Sequence, residues 1–195
     1  MMDKQDIIDF FNRLAPGWDA ELIRDDKRID AILNYAGITK GVSVLDVACG
    51  TGVLIPDYLA RGVKKVVAVD ITPAMIDIAK TKFSAPNIQF INADAETYTF
   101  PEVFDRCVVY NAFPHFPNPQ NLIRSLAQKL APGGRLTIAH GMSLKAINAH
   151  HGNTISKVSV DLMSESELSA LFKKYFDVDV VISNEAIYVV SGVLR

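Results

Sequence analysis

The sequence has few cysteines, no excess of positive charge and no long apolar run. Cys49 and Cys107 are the only cysteines in 195 residues, and two distant thiols without a secretory signal predict a reduced, cytoplasmic protein. Lys and Arg number 20 against 22 Asp and Glu, a balance that argues against a nucleic-acid partner. The longest apolar run, residues 63–69, is interrupted by lysines and falls far short of the roughly 20 residues that span a bilayer. We therefore expect no membrane insertion.

Short β-branched runs alternate with longer amphipathic segments along the chain. They predict strands over residues 42–47, 66–69, 88–91, 104–110 and 135–139, with helices over 53–61, 73–82 and 120–130. A helix over 164–176 then precedes two last strands, 178–182 and 187–193, whose short polar link suits an antiparallel hairpin. This order predicts an α/β, doubly wound, mostly parallel seven-stranded sheet that ends in an antiparallel hairpin.

Residues 44–52 read Val-Leu-Asp-Val-Ala-Cys-Gly-Thr-Gly and join a predicted buried strand to a helix. Gly50 and Gly52 lack a Cβ, so the backbone can approach a ligand closely, and the N-terminus of the following helix directs N–H groups at it. A dinucleotide fingerprint requires a third glycine, where Ile55 stands, and no Gly-Lys-Ser/Thr follows. Asp46 instead suits a ligand that carries a positive ammonium or sulfonium group.

This segment resembles motif I of the class I S-adenosylmethionine-dependent methyltransferases. The amino-acid sequence of residues 48–52 is most similar to that of the ubiquinone/menaquinone-biosynthesis branch and its small-molecule relatives. The resemblance covers about residues 40–140. It implies a Rossmann-like fold, S-adenosylmethionine as cofactor, and in-line transfer of a methyl group to a small-molecule acceptor. Asp46, Ala48, Gly50 and Gly52 are then expected at the cofactor.

Acidic residues also follow the next two predicted strands. Asp70 ends the second strand, and a carboxylate there can accept hydrogen bonds from both hydroxyls of a ribose. The resemblance implies that Asp70 binds the adenosine ribose and that Ile71 packs on the adenine. It also implies that Asp94 accepts a hydrogen bond from the adenine amino group, with the Ala95 N–H nearby. Helix capping is the ordinary alternative for both acids.

Two further residues complete the expected cofactor site. Trp18-Asp19 resembles an aromatic–acid pair that covers the cofactor in the related branch, although a helix cap beside a packing tryptophan explains the pair equally well. The backbone of Asn111, after the fourth strand, is expected to approach the cofactor ammonium. Phe113 and Phe116 are candidates for either an apolar acceptor site or the core.

The four histidines are the least expected feature. His115 follows the fourth strand, His140 ends the fifth, and His150 and His151 follow a helical stretch over residues 143–149. All four are candidate ligands for a divalent metal at the acceptor edge. Alternatively, His115, His140 and His151 are candidate catalytic bases that remove a proton from the acceptor. In a third interpretation His115 is a pocket wall and the His150-His151 pair is an exposed loop.

Without any Gly/Ser/Pro-rich linker, residues 1–195 are expected to form a single domain. Residues 1–36 would be lid helices, one over 3–14 and one over 19–35, with a hinge where Pro16-Gly17 separates them. Residues 40–140 would form the cofactor-binding core, and residues 141–195 an acceptor-side cap and the closing hairpin.

Several functional alternatives remain open from the residues. They are a metal-dependent methyltransferase, a quinone-precursor C-methyltransferase, a non-catalytic S-adenosylmethionine-binding module, and a nicotinamide-dependent oxidoreductase, which the missing third glycine disfavours. The sequence predicts neither the acceptor atom nor the oligomeric state.

Overall fold

The computed structural model of the protein describes residues 2–154 and 157–195, with the side chains of residues 150–154 excluded. The strands are β1 (Ser43–Val47), β2 (Lys65–Asp70), β3 (Ile88–Asn92), β4 (Phe104–Tyr110), β5 (Leu130–His140), β6 (Phe176–Ser183) and β7 (Tyr188–Leu194). They form one sheet in the order β3-β2-β1-β4-β5-β7-β6. β1 to β5 pair in parallel, and β7 pairs antiparallel with both β5 and β6. The predicted sheet and its closing hairpin are confirmed.

The helices are α1 (Lys4–Glu21), α2 (Asp26–Tyr35), α3 (Ile55–Ala60), α4 (Pro73–Lys82), α5 (Pro119–Ala127), α6 (Leu144–Thr154) and α7 (Glu165–Phe172). The Ser164 side chain accepts a hydrogen bond from the Glu167 N–H, and the Glu167 side chain accepts from the Ser164 N–H. This reciprocal capping starts α7 by satisfying N–H groups that have no partner within the helix. None of the described helices is both long and apolar enough to cross a membrane.

The central strands are buried on both faces, as a parallel sheet covered by helices requires. Leu45 and Val47 of β1 enter a cluster that contains Leu122 of α5. Val44 points the other way, into a cluster with Leu33 of α2. Alternate side chains of β1 thus belong to two different clusters. The helices on both faces of the sheet therefore pack against the same strand.

The predicted break at Pro16-Gly17 is wrong, because Pro16 lies inside α1 and the helix continues to Glu21. Proline removes one backbone hydrogen bond, but the turn after it is held by side chains from elsewhere in the chain. Asp19 accepts a hydrogen bond from Thr51 Oγ1 at 2.6 Å and one from Lys82 Nζ at 2.7 Å. The chain leaves the helix only at residues 22–25, so the second helix is shorter than predicted.

We expect Pro16→Ala to stabilise the protein, because alanine restores the backbone N–H that α1 lacks. A proline inside a helix costs about 3 kcal/mol, of which its rigidity in the unfolded chain returns up to about 1 kcal/mol. The thermal unfolding midpoint should therefore rise by a few degrees, on the order of 2–4 °C for each kcal/mol gained.

Pro73→Ala is the matched control, since Pro73 occupies the first turn of α4, where proline is tolerated. Its unfolding midpoint should stay level or fall slightly. A midpoint that falls in Pro16→Ala would show that α1 depends on the proline.

Candidate functional site

A pocket lies at the carboxyl edge of the parallel strands, where open α/β sheets bind their ligands. Residues at or just after the ends of β1, β2, β3 and β4 all line it, among them Ala48, Asp70, Asp94 and Asn111. The opposite wall comes from α1 and from the residues after it. The residues that the sequence assigns to the cofactor therefore gather around one cavity, with two exceptions, Asp46 and Gly52.

The turn after β1 is built from left-handed backbone. Ala48, Gly50 and Gly52 have φ values of 54°, 54° and 87°. A Cβ placed on Gly50 would meet no atom within 4 Å, whereas one on Gly52 would lie 2.9 Å from the Phe83 ring. Gly50 thus leaves ligand space open in the pocket, while Gly52 allows α4 to pack closely. Ala48 holds a conformation that costs roughly 1–2 kcal/mol for a residue with a Cβ, a strain typical of functional sites.

The Asp70 carboxylate holds this turn in place. Its Oδ2 accepts a hydrogen bond from the Gly50 N–H at 2.9 Å, and its Oδ1 accepts one from the Thr72 N–H at 2.8 Å. Burial raises the pKa of Asp70, and these two backbone hydrogen bonds oppose the rise. A carboxylate can accept about four hydrogen bonds, so Asp70 retains capacity for a ligand's hydroxyls.

Asp46 does not line the pocket. It lies fully buried within β1, behind the turn. Burial raises its pKa to about 8, the charge of Asp70 adds to the rise, and the Tyr58 hydroxyl opposes it. The position supports a neutral structural carboxyl and gives no support to the expected direct contact with the cofactor.

Asp94 lines the pocket and is joined to α1 by an ion pair. Lys4 Nζ lies 2.6 Å from Asp94 Oδ2 and 2.6 Å from Glu96 Oε2. Burial alone would lower the pKa of Lys4, but the hydrogen bonds to both carboxylates outweigh it and raise that pKa. Sequence reasoning missed Lys4, because 90 positions separate it from Asp94 and no local pattern marks the pair.

Helix α1 covers the pocket with aromatic side chains. The Phe11 ring contacts the Trp18 ring edge-on at 5.7 Å between centroids and the His115 ring at 4.9 Å. All three residues line the pocket, and the expected contact of Trp18 with the cofactor stays a prediction. Phe11 was predicted only as part of a helix, and nothing in its sequence neighbourhood marks it as a pocket residue.

Asn111 follows β4 in left-handed backbone, with φ 53°. Its N–H donates to the Ala139 carbonyl at 2.9 Å, and its Oδ1 accepts from the Gly141 N–H at 2.9 Å. These bonds tie the ends of β4 and β5 together at the rim of the pocket. The expected approach of its backbone to the cofactor ammonium stays a prediction.

The structure separates the two histidines whose side chains it describes. His115 lines the pocket, and its Nδ1 lies 2.8 Å from the Val158 carbonyl oxygen. His140 is buried against the Tyr188 ring and does not line the pocket. The side chains of His150 and His151 lie outside the described residues. Within the described part of the chain, no three or more His, Cys, Asp or Glu side chains are grouped to hold a metal ion.

The folded-state pKa of Asp46, about 8, exceeds its ordinary value of 3.8, so folding favours the protonated carboxyl. The stability from this group is present in acid and is lost as the pH rises toward 8. Asp46→Asn, which stays neutral, should therefore gain stability relative to the unmodified protein between about pH 5 and pH 8. Urea unfolding of the cofactor-free protein at several pH values measures this gain.

Asp105→Asn is the control, because the hydrogen bond from the Ser43 N–H lowers the pKa of Asp105. That carboxylate stays ionised over the same range, so the difference from the unmodified protein should not change with pH. A pH-independent difference for Asp46→Asn would contradict the raised pKa.

Comparisons with known proteins agree with this geometry. Residues 44–134 match the methyltransferase-domain family. The mitochondrial ubiquinone biosynthesis O-methyltransferase of Schizosaccharomyces pombe is 28% identical over 147 residues, 68% of this chain and 53% of that protein. A ubiquinone/menaquinone biosynthesis C-methyltransferase of Pseudomonas putida is 34% identical over 113 residues, 54% of this chain and 44% of that protein. The chain thus spans about half the length of these curated relatives.

Solved structures share the fold across nearly the whole chain. A chain from the complex between the Haloferax volcanii Trm112 methyltransferase activator and a methyltransferase superposes with a TM-score of 0.78 at 18% identity, covering 99% of this chain and 98% of that one. The N-methyltransferase NodS of Bradyrhizobium japonicum, bound to S-adenosyl-L-homocysteine, gives 0.75 at 15% identity, with 97% and 98% covered. Residues 44–134 therefore match a methyltransferase domain, and the strand order of the whole chain is that of the class I S-adenosylmethionine-dependent methyltransferase fold.

Proposed function

We propose that this protein transfers a methyl group from S-adenosylmethionine to a small-molecule acceptor. The observation that carries the proposal is the arrangement of Gly50 and Asp70 around one cavity at the carboxyl edge of the parallel strands. Curated relatives are named as methyltransferases of ubiquinone and menaquinone biosynthesis, which supports a small acceptor.

The residues that line the pocket fit S-adenosylmethionine. Gly50 leaves open the space that a Cβ would fill, and Asp70 can accept hydrogen bonds from a ribose. Asp94, Ala95 and Ile71 line the same pocket, where they suit the polar edge and the face of an adenine. When bound, S-adenosylmethionine supplies an electrophilic methyl group on a sulfonium.

The protein's own residues contribute position and the exclusion of water. Phe11 and Trp18 of α1 lie over the cavity, and the contact between Phe11 and His115 joins α1 to the turn after β4. A covered pocket holds two reactants in a fixed geometry, which lowers the entropic part of the barrier. It also keeps water from competing for the reacting groups. A pocket covered by α1 in this way suits a small acceptor.

Calorimetric titration with S-adenosylmethionine tests the proposal. We expect Asp70→Ala to weaken binding by about 100-fold or more, since it removes the acceptor of two hydrogen bonds to a charged group, each worth roughly 1.5–3 kcal/mol. The matched control is Asp105→Ala, in which a carboxylate that accepts from the Ser43 N–H at 2.7 Å is removed from the opposite end of the strands. Its affinity for S-adenosylmethionine should be unchanged.

If the unmodified protein does not bind S-adenosylmethionine, the proposal is wrong. Binding without formation of S-adenosylhomocysteine, across a panel of small acceptors, would instead identify a non-catalytic binding module.

We also expect Gly50→Ala to reduce the affinity for S-adenosylmethionine by at least about tenfold, because the new Cβ would occupy ligand space. Gly41→Ala is its control. Gly41 also has a left-handed φ, 87°, with no atom near an added Cβ, but it is exposed and precedes β1.

Both variants should lose about 1–2 kcal/mol of unfolding free energy from the left-handed alanine. Only Gly50→Ala should lose affinity. Equal affinities in the two variants would show that the ligand does not approach Gly50.

A further inference from the structure

Asp94 is the acid expected at the adenine, and the protein holds both of its carboxylate oxygens. Oδ1 accepts a hydrogen bond from the Glu96 N–H at 2.9 Å, and Oδ2 lies 2.6 Å from Lys4 Nζ. A carboxylate paired with an ammonium accepts hydrogen bonds and donates none. Because a carboxylate can accept about four, a ligand in the pocket that Asp94 lines can supply a further donor.

A second carboxylate anchors the Lys4 ammonium. Lys4 Nζ lies 2.6 Å from Glu96 Oε2, and only 3% of the Glu96 side chain is exposed. Asn121 Nδ2 of α5 donates to the other Glu96 oxygen, Oε1, at 3.0 Å. Removing the lysine from this place would leave a buried carboxylate without its countercharge, which is strongly unfavourable. The Lys4 ammonium is therefore fixed beside Asp94 at the wall of the pocket.

Two groups beside the Asp94 carboxylate retain an N–H donor. An ammonium carries three N–H groups, and among the described residues Lys4 has two acceptors, Asp94 and Glu96. The Ala95 N–H follows Asp94 in the chain and has no hydrogen-bond acceptor in the part of the protein that the structure describes. Ala95 is buried at the pocket wall, which leaves its N–H for a ligand or a water molecule.

Adenine presents the complementary order of groups along one edge. Its 6-amino group donates, and the ring nitrogens on either side of that group, N1 and N7, accept. An adenine whose amino group donates to Asp94 can therefore take one donor on each side. N7 is one bond further from the amino nitrogen than N1 is. The N7 side thus has more room for an ammonium that is already bonded to the same carboxylate.

From this arrangement we propose that Lys4 is a cofactor-binding residue that donates a hydrogen bond to N7 of the adenine, while the Ala95 N–H donates to N1. Lys4 is also the first residue of α1, so the bound adenine helps to hold this helix over the pocket. The inference rests on the proposed methyltransferase function and adds a residue of α1 that recognises the adenine.

Calorimetry with two matched ligands tests this inference. They are S-adenosylhomocysteine and its 7-deaza analogue, in which a C–H group replaces N7 and the other polar groups are retained. We expect the unmodified protein to bind the 7-deaza ligand at least about tenfold more weakly, because a hydrogen bond from a charged donor is lost. Lys4→Met has no donor, so it should bind both ligands with equal affinity. Lys4→Arg, which retains charged N–H donors, should restore part of the preference.

Lys82→Met is the matched control, because Lys82 pairs with Asp19 near the other end of α1 at 2.7 Å and does not line the pocket. It should keep the full preference for S-adenosylhomocysteine, even where both affinities fall. Thermal unfolding establishes that each variant is folded.

Three results would overturn the inference: equal affinities of the two ligands in the unmodified protein, a preference that persists in Lys4→Met, or a preference that Lys82→Met abolishes. The last result would show that Lys4 acts only by fastening α1. If S-adenosylhomocysteine does not bind to the unmodified protein at all, the methyltransferase proposal itself is wrong.

Discussion

The Asp70 carboxylate is the constraint on which the site depends. One of its oxygens accepts from the Gly50 N–H and the other from the Thr72 N–H, so a single side chain joins the turn after β1 to the start of α4. The turn contains three residues in left-handed backbone, a conformation that would relax without such a tie. The same burial that raises the pKa of Asp70 makes its hydrogen bonds stronger than they would be in water.

Helix α1 adds the second constraint, and it acts over long sequence separations. Lys4 at its start pairs with Asp94, and Asp19 near its end bonds to Thr51 and Lys82. Helix α1 is thus joined to Asp94, where the adenine is expected, and to the turn after β1. Surface ion pairs contribute little to stability one at a time, but here they connect both ends of α1 to other elements around the pocket.

The pocket combines compensated charge with apolar walls. Among the described residues, two acidic side chains line it. Asp70 accepts hydrogen bonds from backbone N–H groups, and Asp94 forms an ion pair with a lysine. Between them lie rings from α1 and from the turn after β4. Such a cavity presents polar groups and aromatic surface to one ligand at the same edge of the sheet.

The sequence by itself determined which segments form strands, the closing hairpin, the turn containing Gly50, and the placement of Asp70 and Asp94 at strand ends, because periodicity and strand-end spacing are local properties. Only the tertiary structure decided that Pro16 stays within a helix, that Lys4 meets Asp94, and that the expected cofactor ligand Asp46 is buried behind the turn instead. It also separated His115, which lines the pocket, from His140, which packs in the core. These outcomes depend on contacts between residues that are tens of positions apart, and the free energy of such contacts overrides local preference without leaving a local pattern in the chain.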